Sequence, residues 1–327
     1  MEFSSVRAKL AREEGGLKTH QLDSSEVHYL WNNALPPRLM VQSGDTVVVE
    51  TRNGDDDYFS PNSTSQDVAL RSPMVGHALT GPIHVDGARP GDALQVDVLA
   101  VQPSSWGYTF ITHDSGLLLE SEFRVPYFKL WDLSDARTAE LKPGVRIPLD
   151  PFLGIMGTAT AMSGSSDTRP PTRNGGNMDA RHLTAGSTVW LPVDVAGAML
   201  SVGDAHGAQG DGEVCGTAIE TGAVATLRLT VVSGYYLSAP QFRTAAISAL
   251  TDLGGPCYGA MGIGPDPIEA TRDAVRELTK YLVRSWSLSQ EEAYVLCSVA
   301  AHLELTEVVN RPNWVVSASI PLNIFSS

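Results

Sequence analysis

The sequence contains little cysteine, with only Cys215, Cys257 and Cys297 among its 327 residues. These three are too few and too scattered to build a disulfide framework or a cysteine-based zinc site. This usage fits a reducing compartment. The first 16 residues are charged and lack the apolar core of a secretory signal, so we expect a cytoplasmic location.

Long apolar runs are also missing, because no stretch of eighteen or more apolar residues occurs, and a membrane span is therefore not expected. Basic residues are outnumbered, 23 against 37 acidic ones, which gives a net charge of −14. That balance disfavours nucleic acid and anionic membranes as partners. A small molecule is the expected partner, and 43% hydrophobic residues are enough for a globular core.

Several common catalytic motifs are absent. The chain has no G-x-S-x-G nucleophile elbow and no H-E-x-x-H zinc motif. The glycines between 259 and 264 follow no clear strand, and no ribose-binding acid completes a dinucleotide-binding unit after them. These absences disfavour serine hydrolases, helical zinc proteases and nicotinamide-dependent enzymes.

The hydrophobic pattern predicts strands first and helices late. Apolar and polar residues alternate, at least in part, over residues 40–50, 91–101 and 223–232. Helical spacing begins at Pro267 and predicts a helix to Ser285; a second helix is predicted to start near Ser289 and to continue through Val309. We therefore predict a β-rich α+β fold, with sandwich- or barrel-like sheets and a helical C-terminal portion packed on them.

The acidic segment, residues 202–216, is the most informative part of the chain. It places Asp204 two residues from His206, and Asp211 two residues from Glu213, among five glycines. In extended chain such pairs point to one side, so each pair is able to deliver two ligand atoms to one point. Carboxylate with imidazole suits a divalent metal such as zinc. A polar glycine-rich turn, with or without bound calcium, is the alternative that the pattern leaves open.

Four motifs in this sequence resemble those of the acetamidase/formamidase family. They are GDAHGAQGDGEVCGTAIE from Gly203 to Glu220, GHALTGPI from Gly76 to Ile83, GGNMD from Gly175 to Asp179, and the Pro-Gly-Asp of residues 87–92. The resemblance implies one family domain over 1–327, β-rich from about 20 to 235 and α/β from about 236 to 327. It also implies a homo-oligomeric amidohydrolase that cleaves short linear amides such as formamide or acetamide.

The resemblance also implies roles for individual residues. The expected cofactor, inferred from the ligand chemistry of the acidic segment, is a divalent metal, zinc with calcium as the alternative. The metal would polarise the amide and activate water. We expect Asp204 and His206 as the main metal ligands, with His77 and Asp179 beside them. Glu213 is the expected general base with Asp211 next in line, and Asn177 and Gln209 are the expected substrate-binding side chains.

Other readings of the same residues remain at this point. The chain is alternatively a ligand-binding β-rich protein with a structural calcium loop and no hydrolase activity. A third alternative is a hydrolase of larger or cyclic amides, which would use the same chemistry with a differently shaped substrate pocket. Cys215 lies near Glu213, but an inert buried cysteine is the commoner case. The roles of His28 and His84 stay open.

Overall fold

Two large β-sheets and three helices make up the fold in this computed structural model, which describes residues 16–72, 76–113, 115–118, 124–245 and 255–325. The helices are α1 (Ser65–Leu70), α2 (Pro267–Trp286) and α3 (Gln290–Ala300). The N-terminal strands are β1 (Thr19–Leu22), β2 (Leu30–Trp31), β3 (Leu39–Val41), β4 (Thr46–Thr51), β5 (Thr80–Val85), β6 (Ala93–Pro103), β7 (Trp106–Ile111), β8 (Tyr127–Asp132), β9 (Thr138–Lys142) and β10 (Val145–Pro148).

The remaining strands are β11 (Phe152–Thr158), β12 (Ser166–Asp167), β13 (Gly175–Asn177), β14 (Thr188–Pro192), β15 (Leu200–His206), β16 (Glu220–Thr221), β17 (Ala223–Val232), β18 (Gln241–Arg243), β19 (Cys257–Gly264), β20 (His302–Glu307) and β21 (Trp314–Pro321). A short 3-10 helix, Leu322–Ile324, follows the last strand. The predicted β-rich α+β fold is confirmed.

The larger sheet has nine strands in the order β1-β4-β17-β6-β14-β18-β19-β21-β20. The second sheet runs β13-β11-β15-β16-β7-β8, with β5 pairing β15 and β3 pairing β5. One core joins the two sheets: Val49 and Leu227 from the first pack in the same cluster as Met156 and Val202 from the second. This face-to-face packing buries the central strand β15 completely.

The C-terminal helices cover the far end of the nine-stranded sheet, as predicted. Leu278 and Leu282 of α2 share a core with Tyr258 of β19 and Ile320 of β21. Helix α2 begins where the sequence indicates. The Asp266 carboxylate accepts hydrogen bonds from the first-turn backbone N–H groups, and proline occupies the first helical position. Among the described residues, none of the helices combines the length and apolarity that a bilayer span requires.

The predicted extent of the second helix is wrong. Helix α3 opens at the predicted capping residue, Ser289, but ends at Ala300. The chain then enters β20 at His302, where Leu303 and Leu305 alternate with polar residues and pair with β21. Alternating apolar residues and hydrogen bonds to β21 make this segment a strand, so the helix does not continue beyond Ala300. His302 therefore lies on a strand.

Candidate active site

Strand β15 delivers Asp204 and His206 to one point inside the protein. The side-chain atoms Asp204 Oδ2 and His206 Nε2 are 3.6 Å apart. Asp204 has a φ of +54°, a left-handed conformation that aspartate tolerates better than most residues. The two predicted metal ligands of the acidic segment therefore face the same site.

Two glutamates approach the same imidazole nitrogen from the C-terminal side of β15. Glu220 opens β16, pairs directly with His206, and places its Oε2 atom 3.3 Å from His206 Nε2. Its other oxygen accepts a hydrogen bond from the Ala218 N–H at 2.9 Å. Glu213 arrives on the loop after β15, with Oε1 at 3.9 Å from the same nitrogen.

Asp179 closes the group from the turn that follows β13. Its Oδ1 atom lies 4.0 Å from His206 Nδ1, and its backbone N–H donates to the Gly154 carbonyl at 3.2 Å. A side chain at position 154 would bring its Cβ to 2.6 Å from Asp179 Oδ1, so the close approach requires glycine there. The acid–histidine cluster is defined here as Asp179, Asp204, His206, Glu213 and Glu220.

His77 stands at the more open side of this cluster. Its Nε2 atom is 4.0 Å from Asp204 Oδ2, and its side chain is 18% exposed, against 7% for Asp204 and 0% for His206. The His77 backbone N–H donates to Thr168 Oγ1 at 2.7 Å, which anchors the start of the GHALTGPI motif. The fourth predicted ligand is thus near the cluster but at its rim.

Gln209 determines which nitrogen of His206 carries the proton. Its Nε2 group donates to the Asp179 carbonyl at 2.7 Å, and a carbonyl only accepts, so the amide orientation is fixed. The Gln209 Oε1 atom then faces His206 Nδ1 at 2.8 Å and requires a proton on that nitrogen. A neutral His206 consequently presents the Nε2 lone pair to Asp204, Glu213 and Glu220.

The cluster contains more buried polar atoms than its own residues can pair by hydrogen bonds. Within the described part of the chain, three of its fully buried atoms have no hydrogen-bond partner: Asp179 Oδ1, His206 Nε2 and Glu220 Oε2. Leaving such groups unpaired is costly, and four carboxyl groups face a single imidazole. Asp179, Asp204 and His206 offer ligand atoms within 4.8 Å of one another, and so do His206, Glu213 and Glu220. This donor set fits a divalent cation.

The acidities in the cluster follow from burial and crowding. Burial, reinforced by neighbouring carboxylates, raises the pKa values of Asp179 and Glu213 well above their usual range and that of Glu220 to about 7. Burial lowers the pKa of His206, but Glu220 and Asp204 overcome it, and the net pKa is well above 6.5. Burial also opposes ionisation of Asp204, yet His77 and His206 bring its pKa below the usual range. Protons and a cation would compete for these atoms.

The predicted pairing of Asp211 with Glu213 is not formed. The chain turns between them, with the Glu213 N–H bonded to the Gly210 carbonyl, so the side chains do not share a face. Asp211 instead accepts a hydrogen bond from Arg181 Nε at 2.9 Å and groups with His182 and Glu304 outside the cluster.

The other candidates of the sequence have identifiable surroundings. Asn177 is buried two residues before Asp179, and its Oδ1 atom has no partner in the described part of the chain. His28 bonds Ser201 Oγ at 2.8 Å and the Leu30 carbonyl, which fits a packing role. His84 pairs with surface Asp86 at 3.2 Å. The Cys215 thiol donates to the Thr217 carbonyl at 3.2 Å.

Residues that sequence reasoning did not single out also line the cluster. Gly54 lies against Asp204 and Glu220. Tyr108 pairs with Glu220 across strands and donates its hydroxyl proton to Asp55 at 2.8 Å. Asn310 donates to the Asp179 carboxylate from the C-terminal region. Glu220 ends the quoted motif, so the sequence contained it but gave no reason to place it at the site. Gly54, Tyr108 and Asn310 lie in no motif that would have marked them as site residues.

Comparison with known proteins finds relatives that share both the sequence and the fold of this chain. An acetamidase from Mycolicibacterium smegmatis is 28% identical over 82% of this chain and 84% of its own length. A formamidase from Methylophilus methylotrophus is 26% identical over 92% and 89%, respectively. The crystal structure of an acetamidase from Bacillus halodurans matches with a TM-score of 0.85 and 28% identity, covering 93% of this chain and 98% of that one.

The fold and the relatives together place this chain among the hydrolases of carbon–nitrogen bonds other than peptide bonds. The model of the Acetamidase/Formamidase family matches residues 17–166 and 160–327. The chain belongs to that family.

Proposed function

We propose that this protein hydrolyses a short linear amide of the formamide or acetamide type to a carboxylate and ammonia. The observation that carries the proposal is the buried acid–histidine cluster with its unpaired atoms, found in a chain whose relatives are an acetamidase and a formamidase. A calcium-holding binding domain is disfavoured, because an imidazole nitrogen stands at the centre of the donor set and calcium prefers oxygen.

The proposed cofactor is a divalent metal, with zinc favoured by the mixture of nitrogen and oxygen donors. His206 Nε2, Asp204 and Asp179 would hold it, with Glu220 or His77 completing the set. Such an ion, when bound, polarises an amide oxygen and makes water more acidic. Gln209 has both ends of its amide engaged, so we assign it to holding His206 rather than to binding substrate.

Glu213 is the proposed proton carrier. It reaches the cluster from a loop rather than from a strand, and its carboxylate is buried beside His206. In the reaction, a water oxygen bonds to the amide carbon and Glu213 accepts the proton that the water releases. Glu213 then donates this proton to the amide nitrogen as the carbon–nitrogen bond breaks. Ammonia leaves with the carboxylic acid, whose remaining proton passes to the ammonia to give a carboxylate and ammonium. Asn177 is the proposed hydrogen-bond donor to the substrate, and Asp211 has no part.

The proposal includes a homo-oligomer in the cytoplasm. Large apolar side chains are exposed on α3 and the edge strand β20, among them Val299, Leu303 and Leu305. Contiguous exposed apolar surface commonly marks an interaction site. Among the described residues no disulfide joins Cys215, Cys257 or Cys297, in keeping with a reducing compartment. Light scattering of the purified protein measures the oligomeric state directly.

The decisive experiment measures ammonia release from formamide, acetamide, propionamide and a cyclic amide, on zinc-loaded and chelator-treated protein. We expect turnover of the short linear amides by the loaded protein only. Zinc at 100 times its Kd should add about 2.7 kcal/mol to the free energy of unfolding. His206→Ala should lose zinc and turnover, whereas the surface variant His84→Ala should keep both. Turnover that is indifferent to chelation, or no turnover of any amide, would refute the proposal.

A further inference from the structure

A short segment near the C-terminus reaches back to the candidate active site. We define the C-terminal clamp as residues 306–310, which extend from the end of β20. Glu307 is fully buried, and one of its carboxylate oxygens accepts hydrogen bonds from the backbone N–H groups of Val309 and Asn310. A side chain thus closes the turn that presents Asn310, so the turn has one defined shape.

The clamp also holds the loop that carries Glu213. The Gly212 N–H donates to the Thr306 carbonyl at 3.1 Å, and the Val308 N–H donates to the Gly212 carbonyl at 3.3 Å. These two bonds form a parallel bridge between the clamp and the acidic segment. The position of Glu213, the next residue, is therefore tied to the C-terminal region of the chain.

Asn310 connects the clamp to a second member of the cluster, Asp179. Its Nδ2 group donates to Asp179 Oδ2, while Asp179 Oδ1 remains buried and unpaired within the described residues. The amide thereby engages one carboxylate oxygen and leaves the other directed at the cluster, 4.0 Å from His206 Nδ1. A neutral donor suits this place, because a lysine or arginine would supply a positive charge of its own and compete with a cation.

We propose that Asn310 is a positioning residue that orients Asp179 for a divalent cation, and that the Glu307 turn holds Asn310 in place. The part concerning cation binding rests on the cofactor proposed above, and the part concerning turnover rests in addition on the proposed amide hydrolysis. Hydrogen-bond partners of metal-ligating carboxylates typically change metal affinity or activity by 10–100-fold when removed. A purely structural hydrogen bond would affect stability and leave affinity unchanged.

Asn313 provides a matched control three residues away. Its Nδ2 group donates to the Pro171 carbonyl at 2.9 Å, so alanine removes one partly buried amide hydrogen bond there too. We would measure zinc affinity by competition with a chromophoric chelator, and the Tm of the metal-free proteins, for Asn310→Ala and Asn313→Ala. Both should lower the metal-free Tm similarly, but only Asn310→Ala should weaken zinc binding, by about 10–100-fold.

Two further variants separate geometry from charge. Asn310→Leu keeps a similar volume but removes the donor and adds no charge, so zinc affinity should fall, whether or not the alanine variant folds. Glu307→Gln keeps an oxygen able to accept both backbone hydrogen bonds and should retain affinity, whereas Glu307→Ala should lose it.

Equal zinc affinity of folded Asn310→Ala and Asn313→Ala, wild-type affinity in Asn310→Leu, or no divalent-cation binding by the wild type would each overturn the inference. If the zinc affinities of the wild type and the variants follow the expected order but the wild type releases no ammonia, the proposed function alone is refuted.

Discussion

Replacing Gly54 with alanine would place a methyl group directly against two carboxylates of the cluster. The added Cβ would lie 2.3 Å from Asp204 Oδ1 and 2.9 Å from Glu220 Oε2, where ordinary contact begins at 3.4 Å. The backbone at Gly54 does not have a positive φ, so alanine brings no strain of its own. The Asp204 carboxylate must therefore move by about 1 Å.

That displacement should affect the chemistry more than the fold. Overpacking a core costs about 1–3 kcal/mol, and we expect the lower end because a side-chain terminus, not backbone, has to shift. Misplacement of a reacting or ligating group by about 1 Å commonly costs about 100-fold in rate. Gly54→Ala should thus keep a near-normal Tm while zinc affinity and turnover of formamide or acetamide fall, each by roughly 10–100-fold.

Gly210→Ala is the appropriate control, because it lies in the acidic segment and its Cβ would meet nothing within 4 Å. It should behave as the wild type in all three measurements. If Gly54→Ala bound zinc and turned over substrate normally, Asp204 would not be a ligand in the geometry described.

Three further predictions concern side chains at increasing distance from the reaction. Glu213→Gln should retain fold and zinc while turnover falls about 100-fold or more, the scale of a general base; near-normal turnover would reassign that role. Cys215→Ala should retain turnover, because no covalent thioester is proposed; complete inactivity of a folded, zinc-loaded variant would require a thiol nucleophile. Burial lowers the pKa of His28 below 6.5, so the unfolded chain takes up this proton first and stability falls as pH drops through about 6.5. Between pH 7 and pH 5, urea denaturation of His28→Gln should show a shallower loss of stability than the wild type, and parallel profiles would contradict this.

The sequence predicts best where the physics is local. Alternation identified strands such as β17, and the proline and capping residues located the starts of α2 and α3. The second helix was overextended because the choice between helix and strand after Ala300 depends on pairing with β21, which lies further along the chain.

The candidate site was likewise predictable only where its residues lie close together on one strand. Asp204 and His206 meet because both lie on one strand, whereas Asp211 turns away because a loop does not alternate. Asp179 and His77 were suggested by resemblance alone. Asn310 was not predictable, since an ordinary asparagine acquires its position from a contact with a residue 131 positions away.

The order of the site residues along the chain has a consequence for biosynthesis. The cluster is complete in sequence once Glu220 has been translated, but the clamp follows more than eighty residues later, at 306–310. A nascent or prematurely terminated chain that ends between them contains every cluster residue, yet Asp179 lacks its Asn310 partner and the Glu213 loop is untethered. If Asn310 orients Asp179 as proposed, tight cation capture would distinguish finished molecules from fragments, and immature chains would not sequester metal from the cell before they are able to use it.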